Sequence, residues 1–175
     1  MASADVHNGI EFRVARAEDS GLPSSTVDLI TVAQALHWFD IDAFFAEAGR
    51  ILKPCGVLAF WCYHNYTVNP ACDEVIGAIF GSVDDYWPAE SEIVDSCYRD
   101  ITMPFTEMPV DDLSMTTQWT VDEALDYMRT WSASQRFMAE NGADPVAAHA
   151  AELRQQWGGG KRRVNWPLIL RVGRN

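Results

Sequence analysis

The sequence predicts an α/β fold, and three neighbouring stretches carry that prediction. Val27–Ala33 is β-branched and almost wholly apolar, the composition of a strand covered on both faces in a parallel sheet. The stretch from Ile41 to Leu52 places Phe44, Phe45, Ala48, Ile51 and Leu52 at helical spacing, and Lys53-Pro54-Cys55-Gly56 then stops it. A second apolar strand, Val57–Cys62, follows. Strand, helix and strand in this order make a βαβ unit, with a right-handed crossover expected.

The remaining elements are read in chain order. Ile10 to Val14 alternates like a strand, a loop runs from Ala15 to Pro23, and the polar turn Pro23–Thr26 leads into the first apolar run. Just past that run, Gln34, Ala35, Leu36, His37, Trp38, Phe39 and Asp40 crowd polar and aromatic side chains at a strand's carboxyl end, where open α/β sheets bind ligands. After Cys62, His64-Asn65-Tyr66 is a loop. Asn69-Pro70 starts a helix with Cys72, Val75, Ile76, Ile79 and Phe80 on one face. Asp84–Pro88 is an acidic, aromatic connector, Glu90–Arg99 has a weak helical period, and Asp100–Pro109 is extended. Asp112–Trp119 is rich in Thr and alternates like a strand. Thr120 and Glu123 form a capping box for a helix running to Trp131, and Pro145–Trp157 is a further helix. The glycines at 158–160 before Lys161 lack the phosphate-loop pattern and read as a solvated turn. Val164–Val172 makes the last strand, with Pro167 limiting the ladder in its first half.

Composition narrows the classes of function. A chain of 175 residues buries one core, and 48% apolar with 22% charged residues is ordinary for a globular domain. A net charge of −12 opposes binding to nucleic acid or anionic membrane, and favours a small-molecule or protein partner. Four cysteines lack metal-ligand spacing. With no signal-peptide pattern at the start and no membrane-length apolar run, a cytoplasmic protein with reduced thiols is expected.

Val27-Asp28-Leu29-Ile30, then Ala35-Leu36-His37-Trp38-Phe39, then Arg50-Ile51-Leu52-Lys53-Pro54-x-Gly56 resemble consecutive parts of one known family. They are similar to the fourth strand, following loop, helix and fifth strand of class I S-adenosylmethionine-dependent methyltransferases. The type 11 group near trans-aconitate methyltransferases is the most similar subgroup. The likeness is strong over the first third of the chain and looser beyond. It implies a Rossmann-like sheet, a helical cap inserted before the last antiparallel strand, S-adenosylmethionine as cofactor and a small-molecule methyl acceptor, with carboxylates among the candidates. It also implies a first strand ending in a Gly-x-Gly turn and a second ending in a ribose-binding acid. Neither stands before Ile10, so a partial sheet lacking its first two strands is expected. The expected organisation is one N-terminally incomplete domain over 1–175. Its core βαβ portion is 10–63, its cap region 64–157 with a strand near 112–119, and its final strand 164–173. The apolar run Val27–Ala33 would then present an uncovered edge, open to a partner chain or to self-association.

The resemblance also assigns candidate residues. Ala17 and Glu18 match the adenine-side loop, although Arg16 stands where relatives often carry an acid. Gln34 and Ala35 match the turn facing the sulfonium. Trp38, with Phe39, either walls the cofactor or staples the following helix to the sheet, and a mixed role is expected. His37 is a candidate general base or a structural imidazole. His64, Arg129 and Trp131 fall on the acceptor side. Arg129 either pairs with a carboxylate acceptor or is a surface arginine. The two readings of the whole chain are a methyl-transferring enzyme and a noncatalytic remnant or partner subunit without independent cofactor binding.

Overall fold

The computed structural model describes residues 9–175. Five strands form a sheet of order β1-β2-β5-β3, with β4 also paired to β5. These are β1 Val27–Ala33, β2 Leu52–Tyr63, β3 Thr106–Met108, β4 Leu113–Trp119 and β5 Arg162–Arg174. The helices are α1 Ile41–Ile51, α2 Pro70–Gly81, α3 Glu92–Asp95, α4 Val121–Arg129, α5 Ser132–Asn141 and α6 Ala150–Trp157. The chain divides into two compact units. The first comprises the chain up to Phe60 with Thr102–Pro109 and Arg171–Asn175; the second comprises Trp61–Ile101 and Val110–Leu170.

In the first unit, α1 forms where the apolar spacing predicts it. Asp40 caps it by accepting from Ala43 N at 3.1 Å, and Asp42 and Arg50 lie at the ends where the helix dipole favours their charges. Phe44, Phe45, Ala48 and Ile51 are its buried face. The helix stops as Leu52 turns extended, and β2 starts at once. Lys53–Gly56, expected as a turn before the strand, lies within it, although Cys55 takes a left-handed φ of 65°. A Cβ on Gly56 would stand 2.9 Å from the Lys53 carbonyl oxygen, so the backbone admits only glycine there. Thr26 N donates to Ile51 O at 2.9 Å and Lys53 pairs with Asp28, so β1 and β2 enter the sheet from the same end, as a βαβ unit requires. Asn175 exchanges backbone hydrogen bonds with Cys55 and Gly56, which sets the end of β5 beside the start of β2 and makes this pair antiparallel.

Two expectations for this unit are corrected. Residues 10–14 form no strand, and Ile10, Phe12 and Val14 are exposed, because alternation supplies an apolar face but no neighbouring ladder. The run Val27–Ala33 is a strand but is not covered on both faces: Val32 is its one buried residue, and Leu29 is 56% exposed. β1 is the last strand at its side of the described sheet.

The second unit closes on itself. Cys72, Val75, Ile76 and Ile79 of α2, Leu125 and Met128 of α4, Leu153 and Trp157 of α6, and Val164 and Trp166 of β5 form one buried core. Asn69 caps α2 from Cys72 N with Pro70 in the first turn, and Thr120 and Glu123 complete the capping box of α4. Leu113 to Trp119 pairs antiparallel with Leu168 back to Arg162, and Pro167 sits opposite Ser114 without breaking the register. The helix expected over 145–157 is regular only from Ala150. Ser132–Asn141, which carries no periodic signal, is helical and ends on left-handed Gly142. The four cysteines are free; burial, and then nearby Cys97, pushes the Cys62 thiol up to about 12. Among the described residues no helix is long and apolar enough to cross a membrane, and no cluster of potential metal ligands occurs.

Candidate functional site

The carboxyl end of β1 is one of three places in the first unit, with Ser25 and Cys55, where a described non-glycine residue takes positive φ. Gln34 adopts φ 50°, a left-handed conformation that a non-glycine residue rarely holds. It is followed by a single turn of 3₁₀-helix, Leu36–Trp38. Leu36 is fully buried, and Phe39 packs on Phe44 with ring centroids 5.1 Å apart, so Phe39 staples α1 to the strand end. The mixed role expected of Trp38 is therefore corrected. Its indole is 57% exposed and lies 4.9 Å from the half-buried His37 ring, centroid to centroid.

The loop holding Ala17 and Glu18 is tied to the same place by two carboxylates. Glu18 accepts from Asp40 N at 2.9 Å and pairs with Arg16 at 3.3 Å. Its own backbone N–H and that of Asp40 hold its carboxyl below the usual range. Glu47, on α1 and buried, accepts from the Ser20 hydroxyl and backbone N–H at 2.6 and 2.9 Å. Arg50 closes on the same carboxylate through Nε and Nη2 at 2.7 and 2.8 Å, and also donates to Leu22 O. The Arg50 guanidinium and then the Ser20 hydroxyl lower the Glu47 carboxyl to about 2. Loop, strand end and helix start are thus locked together around half-buried Ala17, Glu18, Gln34 and Ala35. Glu47 was missed in the sequence; the i,i+3 pairing with Arg50 is its only local signal.

In the second unit, His64 Nε2 lies 2.9 Å from Asp95 Oδ1, and its ring is 5.3 Å from Phe80. Phe80 also meets Trp131 at 5.7 Å, so the structure brings His64 and Trp131 onto one ring. Arg129 joins neither of these contacts. Its Nε pairs with Asp144 and its Nη1 with Asp126, each at 2.8 Å.

A short loop pinned beside a turn at the carboxyl end of a strand stands where open α/β sheets bind ligands. A family model described as a methyltransferase domain matches residues 1–60. A Dictyostelium discoideum protein inferred to be a methyltransferase is 31% identical over 154 residues, which are 82% of this chain and 56% of that protein. Saccharomyces cerevisiae CRG1, inferred to be an S-adenosylmethionine-dependent methyltransferase, is 36% identical over 55 residues, 31% of this chain and 19% of that one. The solved structure of an inferred type II methyltransferase from Anaeromyxobacter dehalogenans superposes with a TM-score of 0.87 at 40% identity. That match covers 97% of this chain and 73% of the other. The chain belongs to the class I methyltransferase family. It spans about half the length, 56%, of the Dictyostelium relative.

Proposed function

We propose that the protein carrying this chain transfers a methyl group from S-adenosylmethionine to a small-molecule acceptor, and that the first unit supplies one wall of the cofactor cleft. The observation that carries this reading is the strained Gln34 turn at the end of β1, held against the Ala17–Glu18 loop by Glu18 and Glu47. Gln34 and Ala35 would border the methionine end of the cofactor, and the backbone of Ala17 and Glu18 the adenine. The Glu18 carboxylate is already engaged by Asp40 N and Arg16, so its part is to position the loop. The exposed indole of Trp38 is available to shield a sulfonium by cation–π attraction. When bound, the cofactor brings an activated methyl group; the residues of this chain bind and orient, which supplies most of what such a transfer needs. His37 is a candidate base for acceptors that carry a proton to remove. Carboxylate recognition by Arg129 would require a ligand to replace Asp144 or Asp126 at its guanidinium. A cytoplasmic setting belongs to the same proposal.

The second reading is a chain that does not hold the cofactor unaided, and a specific observation favours it. Leu29 and Trp38 of the first unit stand exposed, and β1 is the last strand at its side of the described sheet. The proposed partner is polypeptide that covers β1, in cis, in trans or as a second copy. Calorimetric titration with S-adenosylhomocysteine tests both readings. The chain alone is expected to bind more weakly than about 1 mM. Adding the part of the Anaeromyxobacter dehalogenans protein that this chain does not span should give micromolar binding that Gln34→Ala weakens. Micromolar binding by the chain alone overturns the second reading. A folded, complemented protein that neither binds nor responds at Gln34 overturns the first.

A further inference from the structure

We infer that the second unit carries a binding pocket for an uncharged, single-ring aromatic molecule bearing an oxygen acceptor. A cavity of about 230 Å³ is lined by Tyr63, Met115, Thr117, Trp119, Tyr127 and Trp166, among others. No charged side chain lines it, and its polar groups are hydroxyls and indole N–H groups. Its volume lies below the roughly 300–1,000 Å³ of sites for drug-sized ligands and suits a guest of about one ring.

Its walls are set at steep angles. Trp119 meets Trp166 at 84° with centroids 4.9 Å apart, and Tyr127 meets Trp166 at 81° and 5.8 Å. Rings so arranged make a corner that receives the face and edge of a planar guest. The Trp166 indole N–H is buried beside the Tyr127 hydroxyl, so a guest oxygen meets the hydroxyls of the lining rather than that donor. Anionic guests are disfavoured because the chain carries a net charge of −12 and no cation lines the pocket. Cationic guests find aromatic faces but no carboxylate in the lining. Calling the guest a methyl acceptor rests on the methyltransferase reading above; the pocket itself does not.

The test is nitrogen-15 NMR of the full chain, with the Trp119 and Trp166 indole signals assigned by single Phe substitutions. The probes are p-cresol, tricarballylate and tetramethylammonium, each without cofactor. p-Cresol should shift both signals saturably, with a Kd below about 1 mM, and leave the Trp38 indole unmoved. Thr117→Phe, which fills the cavity, should weaken p-cresol by about tenfold or more while the thermal midpoint holds. Met115→Phe serves the same purpose if the first variant does not fold. No saturable shift up to about 10 mM, an equal response to tricarballylate or tetramethylammonium, or undiminished binding in a folded filled variant each overturns the inference. p-Cresol binding together with failed cofactor binding in the complemented protein would uphold the pocket and remove the methyltransferase reading.

Discussion

The two units use similar apolar side chains to opposite ends. In the second, Trp157, Leu153, Ile76, Ile79 and Leu125 are fully buried or nearly so, and helices and strand cover one another. In the first, Ile10, Phe12, Val14, Leu29 and Trp38 stand in solvent although their residue types belong inside. Burial depends on a facing partner as much as on apolarity. The second unit contains its partners, whereas the sheet of the first ends on β1.

Substitutions sharpen the contrast. The largest effect is expected in the second unit: Trp157→Ala empties a fully buried site and should cost about 3–5 kcal/mol in urea unfolding. In the first unit the largest loss should come from the loop latch. Glu47→Ala removes an acceptor of charge-assisted hydrogen bonds and should cost about 2 kcal/mol. The same carboxyl predicts a pH dependence. Its folded pKa of about 2 lies below the ordinary 4.5, so its contribution is full above pH 4.5 and is lost as the pH falls towards 2. The acid limb of a stability–pH profile should therefore flatten in Glu47→Gln; an unchanged limb would show that the latch does not stabilise the loop. Thr120→Ala, which breaks the capping box of α4, should cost about 1 kcal/mol. Leu29→Ala and Trp38→Ala should change stability by no more than about 0.5 kcal/mol, because neither side chain is buried. A loss of several kcal/mol at Leu29 would erase the distinction between the units.

Features set by near neighbours in the chain were legible in the sequence. The box of Thr120 and Glu123, the Asn69-Pro70 helix start, α1 and the strand end at Gln34 all rest on patterns within a turn or two. The end of α1 before Lys53 was legible for the same reason. What escaped depends on distance or on weak pattern. Glu47 reaches Ser20 across 27 residues and Arg129 reaches Asp144 across 15, so no local pattern announced either partner. Ser132–Asn141 opens on Trp131 without a side-chain cap and carries few apolar residues, so neither start signal nor period announced it. Residues 10–14 show the converse. Alternation marks what a strand would bury, while the ladder that makes it a strand must come from elsewhere.

The central claim is that β1 is an edge awaiting cover, and that covering it completes the cofactor cleft. Hydrogen exchange of the individual amides of Val27–Ala33, followed by NMR, tests this most directly. In the chain alone, the alternate amides pointing away from β2 should exchange quickly. With the unspanned part of the Anaeromyxobacter dehalogenans protein added, they should become protected together with the gain of S-adenosylhomocysteine binding. Full protection of every β1 amide in the chain alone, unchanged by the addition, would contradict the account.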